Sequence, residues 1–196
     1  MFKPFEKVAG FKALYIGLLL ILLTGVTGYF AGLNFDGVLD AHFLKTELSL
    51  ASHLLEGIIN WLSLSVLILI SGLIFSGSKF RIIDVFGTQA LARWPMVFLA
   101  IVAIVVPYET VTQYIMWKAT GVGEEVFPQT IDIILFALFS IISILVIVWM
   151  VVLMYRAYSI SCNIKGTKGV ISFIVALILA EILSKTALSY MYNLIG

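Results

Sequence analysis

Residues 131–154 read IDIILFALFSIISILVIVWMVVLM, with Asp132 as the one charged side chain. An α-helix rises about 1.5 Å per residue and a bilayer's hydrocarbon core is about 30 Å thick, so about 20 apolar residues cross it. The stretch exceeds that length and contains neither proline nor glycine, which predicts a transmembrane helix. Three further long apolar stretches lie at 13–33, 57–76 and 169–191.

A fifth apolar stretch, at 94–106, is too short to span alone and lies beside Pro95 and Pro107. Extended to 91–108, it places Trp94 and Tyr108 where interfacial aromatic residues anchor a span. The sequence therefore predicts an all-α polytopic helical bundle. It has about five transmembrane helices with short interfacial helices, in a single integral membrane domain at 1–196.

The composition supports a membrane protein over a soluble one. Of 196 residues, 62% are hydrophobic and 12% are charged, with a mean hydropathy of +1.12. Soluble domains carry about 25% charged residues. A net charge of +1 argues against nucleic acid as a partner, and the single cysteine excludes an internal disulfide.

The basic residues predict the orientation. With five spans, the N-terminus and the second and fourth loops share one side, which holds nine basic residues: Lys3, Lys7, Lys12, Lys79, Arg81, Arg93, Arg156, Lys165 and Lys168. The opposite loops hold Lys45 and Lys118. Because cytoplasmic loops are enriched in Lys and Arg, this predicts a cytoplasmic N-terminus and an external C-terminus.

Two segments between the spans are amphipathic. Residues 80–91 predict a cytoplasmic interfacial helix, and residues 35–50 predict a segment on the outer surface. Within the spans, small residues recur at four-residue spacing. They are Thr24, Gly28 and Gly32 with Gly25 in the first span, and Ser172, Ala176, Ala180 and Ser184 in the last. Such ridges predict helix contact faces, and contacts within one chain are favoured over contacts between two chains.

Glu181 and Lys185 are the most unusual residues for a membrane span. A lone charge at that depth costs from about 3 to more than 10 kcal/mol. At i, i+4 spacing the two side chains can meet on one helix face. Two interpretations stay open, a proton, ion or headgroup site and a structural pair that fixes the position of the helix.

A polar stripe runs down the second span through His53, Glu56, Asn60 and Ser63. This spacing predicts side chains that line the bundle interior, and a pocket shared with Glu181 and Lys185 is a hypothesis. His53 and Glu56, with His42 nearby, are too few ligands to predict a metal site. No catalytic motif or phosphate-binding loop occurs, so neither an enzyme nor a cofactor is predicted.

Two cytoplasmic segments resemble the Yip1 domain, a five-span membrane domain. They are KFRIIDVFG at 79–87, followed by RWP at 93–95, and YRAYSISCNIKG at 155–166 before the last span. The resemblance implies a five-span bundle and, since the chain is most similar to compact bacterial members, the cytoplasmic (inner) membrane of a bacterium.

The resemblance also implies a non-enzymatic scaffold or partner protein in membrane organisation or trafficking. Its expected partners are membrane lipids and other membrane proteins. Eukaryotic members associate with Rab GTPases, but the Asp-Leu-Tyr-Gly-Pro motif of those members does not occur here, so a Rab-type partner is not expected. The alternative function is a small proton, ion or solute transporter subunit that uses the intramembrane Glu/Lys pair.

Overall fold

The protein is almost entirely helical. The structure, a computed structural model, describes Phe5 and residues 8–43, 48–122 and 126–195. Its elements are α1 (Gly10–Ala31), β1 (Leu33–Asn34), β2 (His42–Phe43), α2 (Leu50–Phe75), α3 (Ile82–Ala92), α4 (Pro95–Ala103), α5 (Tyr108–Thr120), α6 (Thr130–Ser161) and α7 (Gly166–Ile195). Across the described ranges the only sheet is the two-stranded β1–β2 pair, which confirms the all-α prediction.

Within the described ranges, five helical segments are long and apolar enough to cross a membrane, so the chain is a multi-pass membrane protein. They are α1, α2, the α3–α4 unit (Ile82–Ala103), α6 and α7. Because the spans alternate in direction, α1 begins and α7 ends at opposite faces. We call the face where α1 begins the Gly10 face and the face that carries α5 the Tyr108 face.

The third span is not where the sequence predicted it. It runs over 82–103 instead of 91–108, and the predicted interfacial helix at 80–91 is its first half, α3. Most of α3 is buried because it packs closely on α1. A Cβ at Gly17 would lie 2.6 Å from the Ala90 carbonyl carbon, and one at Gly87 would lie 2.6 Å from the Gly10 oxygen.

Trp94 does not anchor the third span at an interface. It lies between α3 and α4, with its ring edge-on to Trp149 at a centroid distance of 4.6 Å. Pro95 is the first residue of α4, a position where a backbone N–H has no helical partner, so the proline separates α3 from α4 without ending the span. Pro95 therefore lies within the third span, and treating Pro95 and Pro107 as its bounds placed the predicted span too late in the sequence.

The small-residue ridges are contact faces inside one chain, as predicted. Thr24, Gly25 and Gly28 are buried, and a Cβ at Gly25 would lie 2.9 Å from the His53 carbonyl oxygen of α2. The four residues of the α7 ridge are also buried, and α7 packs mainly on α2. These contacts bring the polar residues of α2 and α7 together.

Polar contacts fasten the helices near the Gly10 face. The Tyr158 hydroxyl lies 2.9 Å from Ser71 Oγ and 2.8 Å from Ser172 Oγ, which joins α6 to α2 and α7. Gln89 Nε2 donates to the Met154 carbonyl at 3.1 Å, which joins α3 to α6. These hydrogen bonds lie in the half of the bundle near the Gly10 face, and the strands β1 and β2 lie in the other half.

Candidate functional site

The connection between α1 and α2 turns into the bundle. Its base is a short antiparallel pair in which Leu33 faces Phe43 and Asn34 faces His42. We call residues 33–43 the inserted loop. Phe35 and Val38 within it are 3% and 0% exposed, so the prediction that 35–50 lies on the outer surface is wrong for its first part. Residues 44–47 lie outside the described residues.

The tip of the inserted loop contacts a side chain from the middle of the third span. The Val38 carbonyl accepts a hydrogen bond from Arg93 Nη1 at 3.5 Å. Arg93 lies ten residues before Ala103 ends the span, which is about 15 Å along a helix. Irregular backbone within a membrane is tolerated only where it is buried in protein or lines a water-filled cavity, because lipid cannot satisfy its polar groups. The polar residues of the spans do this.

Glu56 and Asn60 together bind the backbone of Phe35. Glu56 Oε2 accepts from the Phe35 N–H at 2.9 Å, and Asn60 Nδ2 donates to the Phe35 carbonyl at 2.6 Å. Their i, i+4 spacing on α2 places both side chains on one face, as the stripe predicted. Glu56 Oε1 also accepts from the Tyr192 hydroxyl at 2.8 Å, which fastens the end of α7.

Glu181 and Lys185 bind the other side of the loop. Glu181 Oε2 accepts from the Leu39 N–H at 2.9 Å, and its carboxylate contacts Gly37. Lys185 Nζ lies 3.6 Å from Glu181 Oε1, which confirms that the pair meets. Its closer partner is Asp40 Oδ2, at 2.7 Å. Both residues of the predicted pair therefore also bind the inserted loop.

Arg93 is a loop-binding residue that the sequence interpretation missed. It was assigned to a cytoplasmic loop, but it is 4% exposed in the middle of the third span. Without Arg93, the count of basic residues on the predicted cytoplasmic side falls from nine to eight. Two of these eight, Lys3 and Lys7, lie outside the described residues. The sequence did contain a signal for this role, because an arginine within the apolar stretch 82–103 needs a partner inside the bundle.

The loop carries a small charged cluster of its own. His42 Nδ1 lies 3.2 Å from Asp36 Oδ1 and 3.7 Å from Asp40 Oδ1. The contact with His42 lowers the pKa of Asp36, and the same contact raises the pKa of His42, in each case against an opposing effect of burial. Asp36, Asp40 and His42 have metal-ligand spacing, but the Lys185 ammonium on Asp40 already supplies positive charge.

His53 belongs to a different environment from the rest of the stripe. Its Nδ1 donates to the Ser49 carbonyl at 3.1 Å, and its ring packs edge-on to Tyr29 at 5.6 Å. It lines a cleft between α1, α2 and α5. Glu56 and Glu181 both bind the inserted loop, which therefore occupies the space that the hypothesis assigned to a shared pocket.

The fold and these contacts define a class, a five-span helical membrane protein with an inserted loop anchored by intramembrane polar side chains. Comparison of the chain with family models, with curated proteins and with solved structures finds no match. The resemblance to the Yip1 domain therefore stays a prediction.

Proposed function

We propose that this chain is a non-enzymatic, Yip1-like integral membrane protein that acts as a scaffold or partner protein in membrane organisation. The observation that carries the proposal is the use of both intramembrane carboxylates as backbone acceptors. Glu56 accepts from Phe35 and Tyr192, and Glu181 accepts from Leu39. Such groups support a fixed architecture better than a cycle of ion binding and release.

The outward surface supports the same proposal. Helix α6 is the span least covered by its own chain, with 11% of its most apolar window buried, against 33% to 61% for the other spans. Its exposed residues are apolar, including Ile141, Leu145 and Val148. A face of this kind can contact lipid or the span of a partner protein.

Capture of a partner tests the proposal directly. A photo-reactive benzoylphenylalanine replaces Leu145 on α6, and a matched variant carries it at Leu19 on α1, which is equally exposed (64% and 68%). We expect Leu145 to yield a discrete cross-linked protein that also co-purifies in mild detergent. Cross-links to lipid alone at both positions, with repeated recovery of the bare chain, would contradict the proposal.

The transporter subunit is the alternative, and the half-exposed Lys185 is the observation that favours it. Transport by Glu181 would require its carboxylate to exchange Leu39 N–H and Lys185 for a proton or cation. Purified protein in liposomes with a pH-sensitive dye tests this, with Glu181→Gln as the variant, because Gln keeps an acceptor for Leu39. We expect no flux above empty liposomes; flux that Glu181→Gln abolishes would replace the scaffold with a transporter.

We also propose an N-inside orientation in a bacterial cytoplasmic membrane. The Gly10 face holds six described basic residues outside the bundle interior, namely Lys12, Lys79, Arg81, Arg156, Lys165 and Lys168. The described basic residues at the Tyr108 face are Lys118 and Lys185. This difference has the sign that the proposed orientation requires.

Labelling with a membrane-impermeant maleimide tests the orientation. The native Cys162 is buried, and burial raises the pKa of its thiol to about 12, so it contributes little background. Single cysteines are placed at Val122 and Ser78, both exposed and on opposite faces. We expect Val122→Cys to react in intact cells and Ser78→Cys only after permeabilisation. The reverse pattern would invert the orientation.

A further inference from the structure

Three lysines from two separate loops lie on the Gly10 face, and we call them the lysine patch. Lys79 lies in the connection between α2 and α3. Lys165 lies in the turn between α6 and α7, and Lys168 lies in the first turn of α7. All three residues are exposed. The function proposed above does not use them, since it assigns the contact with a partner protein to α6.

Hydrogen bonds hold the two loops together. Ser76 Oγ donates to the Cys162 carbonyl at 2.7 Å, and Asn163 Nδ2 donates to Ser78 Oγ at 3.3 Å. The bonded residues are 86 and 85 positions apart in the chain. Because Lys79 directly follows Ser78, these bonds place it beside the turn that carries the other two lysines.

The lysine patch borders the lipid-facing surface of the spans. Lys168 Nζ lies 5.7 Å from the centre of the Phe75 ring, and Phe75 is the last residue of α2. The preceding residues, Leu73 and Ile74, are 67% and 66% exposed, and Ile171 on α7 is 58% exposed. Exposed apolar side chains on a span contact lipid chains, while a lysine at the end of a span extends its ammonium group to the headgroups. The patch therefore lies at headgroup level.

The charge at this face selects the kind of headgroup. Among the described residues, Asp84 is the one acid near this face, and Arg81 Nε binds it at 2.8 Å. The undescribed residues that precede α1 carry two lysines and one glutamate, so they do not reverse the positive sign. An anionic phospholipid brings a phosphate without an ammonium group, whereas the ammonium group of phosphatidylethanolamine would be repelled by the lysines.

We propose that the lysine patch binds the headgroup of an anionic phospholipid. Its phosphate would contact the ammonium groups of Lys79, Lys165 and Lys168, and its acyl chains would lie along the exposed apolar residues of α2 and α7. Positive charge and an adjoining apolar surface together favour a lipid over a soluble anion. The site is independent of the partner protein proposed for α6, because either can be absent while the other is present.

Native mass spectrometry of protein released from nanodiscs tests the site. The nanodiscs contain equal amounts of phosphatidylglycerol and phosphatidylethanolamine in both leaflets, so the orientation of the chain does not affect the result. The ratio of the two lipids that the protein retains is measured for wild type and for Lys79→Gln, Lys165→Gln and Lys168→Gln, singly and combined. Two matched controls each remove an exposed lysine elsewhere, Lys12→Gln on α1 at the same face and Lys118→Gln on α5.

We expect wild type to retain phosphatidylglycerol in preference, and the combined variant to lose most of that preference. A basic residue near an anionic surface changes the affinity by about fivefold, which is the largest effect expected of each single variant. Lys168→Arg keeps the charge and should keep the ratio, and both controls should stay close to wild type.

Glycerol phosphate, which is the headgroup portion without acyl chains, separates a lipid site from a site for soluble phosphate. Added in excess, it should not displace phosphatidylglycerol from the protein. Displacement would assign a soluble phosphate instead and would overturn the proposal. Equal retention of both lipids by wild type, or an equal loss of preference in either control variant, would overturn it as well.

Discussion

Glu56 accepts a hydrogen bond from the backbone N–H of Phe35 at 2.9 Å, inside the membrane and across 21 residues of chain. The contact explains why an acidic residue is present in an otherwise apolar span. A loop that enters the bilayer brings N–H and C=O groups that lipid cannot satisfy. The missing partners are supplied by Glu56, Asn60 and Glu181. The polar side chains thus satisfy the loop backbone, and the loop backbone satisfies the polar side chains.

Replacing Asn60 with leucine tests that requirement. Asn60→Leu removes the donor to the Phe35 carbonyl and leaves that oxygen buried without a partner, so we expect a loss of about 1–3 kcal/mol in unfolding free energy. Reversible unfolding in mixed micelles of mild detergent and SDS measures it. Ser65→Ala is the control, because Ser65 Oγ is buried on the same helix without a described partner. Similar losses in both variants would show that Asn60 acts through packing alone.

The close approach of Gly37 to Glu181 leads to a second prediction. A Cβ at Gly37 would overlap the Glu181 carboxylate, so Gly37→Ala should displace the loop or the carboxylate. Overpacking of this kind costs about 1–3 kcal/mol. The control is Gly77→Ala, since nothing lies within 4 Å of a Cβ at Gly77. Thermal unfolding compares the two, and an unchanged melting temperature for Gly37→Ala would mean that the Glu181 side chain moves aside at no cost, so that its hydrogen bond from Leu39 does not hold it in place.

The contact between Asp36 and His42 predicts a pH dependence. The pKa of His42 is raised above its ordinary value of 6.5, so its stabilisation is complete below pH 6.5 and is lost as the pH rises through the higher folded pKa. The pKa of Asp36 is lowered below its ordinary value of 3.8, so its stabilisation is complete above pH 3.8 and is lost as the pH falls through the folded pKa. The pair therefore contributes fully between pH 3.8 and 6.5.

The size of this effect is small because both side chains are partly exposed, at 37% and 28%. Solvent screening limits it to about 1 kcal/mol or less. We expect wild type to lose that much stability relative to His42→Gln between pH 5.5 and pH 9, as measured by thermal unfolding of both proteins. The neighbouring Asp40 and Lys185 remain in both proteins, which makes them an internal control. Parallel pH profiles would contradict the assignment.

Sequence patterns located four of the five spans and the polar stripe, because length, hydropathy and helical spacing are local properties. They failed for α3, because residues 80–91 were interpreted as an interfacial helix, whereas Thr88 and Gln89 are buried and bind α6. A polar face looks the same in a sequence whether its partners are headgroups or, as here, Ser161 and the Met154 carbonyl on another helix. Amphipathic spacing therefore identified the face of α3 but not what covers it.

The inserted loop could not be predicted, because its position depends on partners far away in the chain. Leu39 and Glu181 are separated by 142 residues, and nothing local to residues 35–43 indicates burial. The intramembrane charges were the usable signal, since each needs a partner at that depth. The sequence analysis paired Glu181 with Lys185, and that contact is present. It did not predict that both residues also bind the inserted loop.

Two substitutions at Glu181 separate its hydrogen bond from its charge. Glu181→Gln keeps an oxygen that can accept from the Leu39 N–H, whereas Glu181→Leu leaves that N–H buried without a partner. If the residue acts by satisfying the loop, Glu181→Leu should cost about 1–3 kcal/mol more than Glu181→Gln in the mixed-micelle unfolding assay. Asp40, which lies 2.7 Å from Lys185 in the wild type, is unchanged in both variants, so we expect the burial of Lys185 to change little. Equal losses would mean that the negative charge, and not the backbone contact, is what the last span needs at this position.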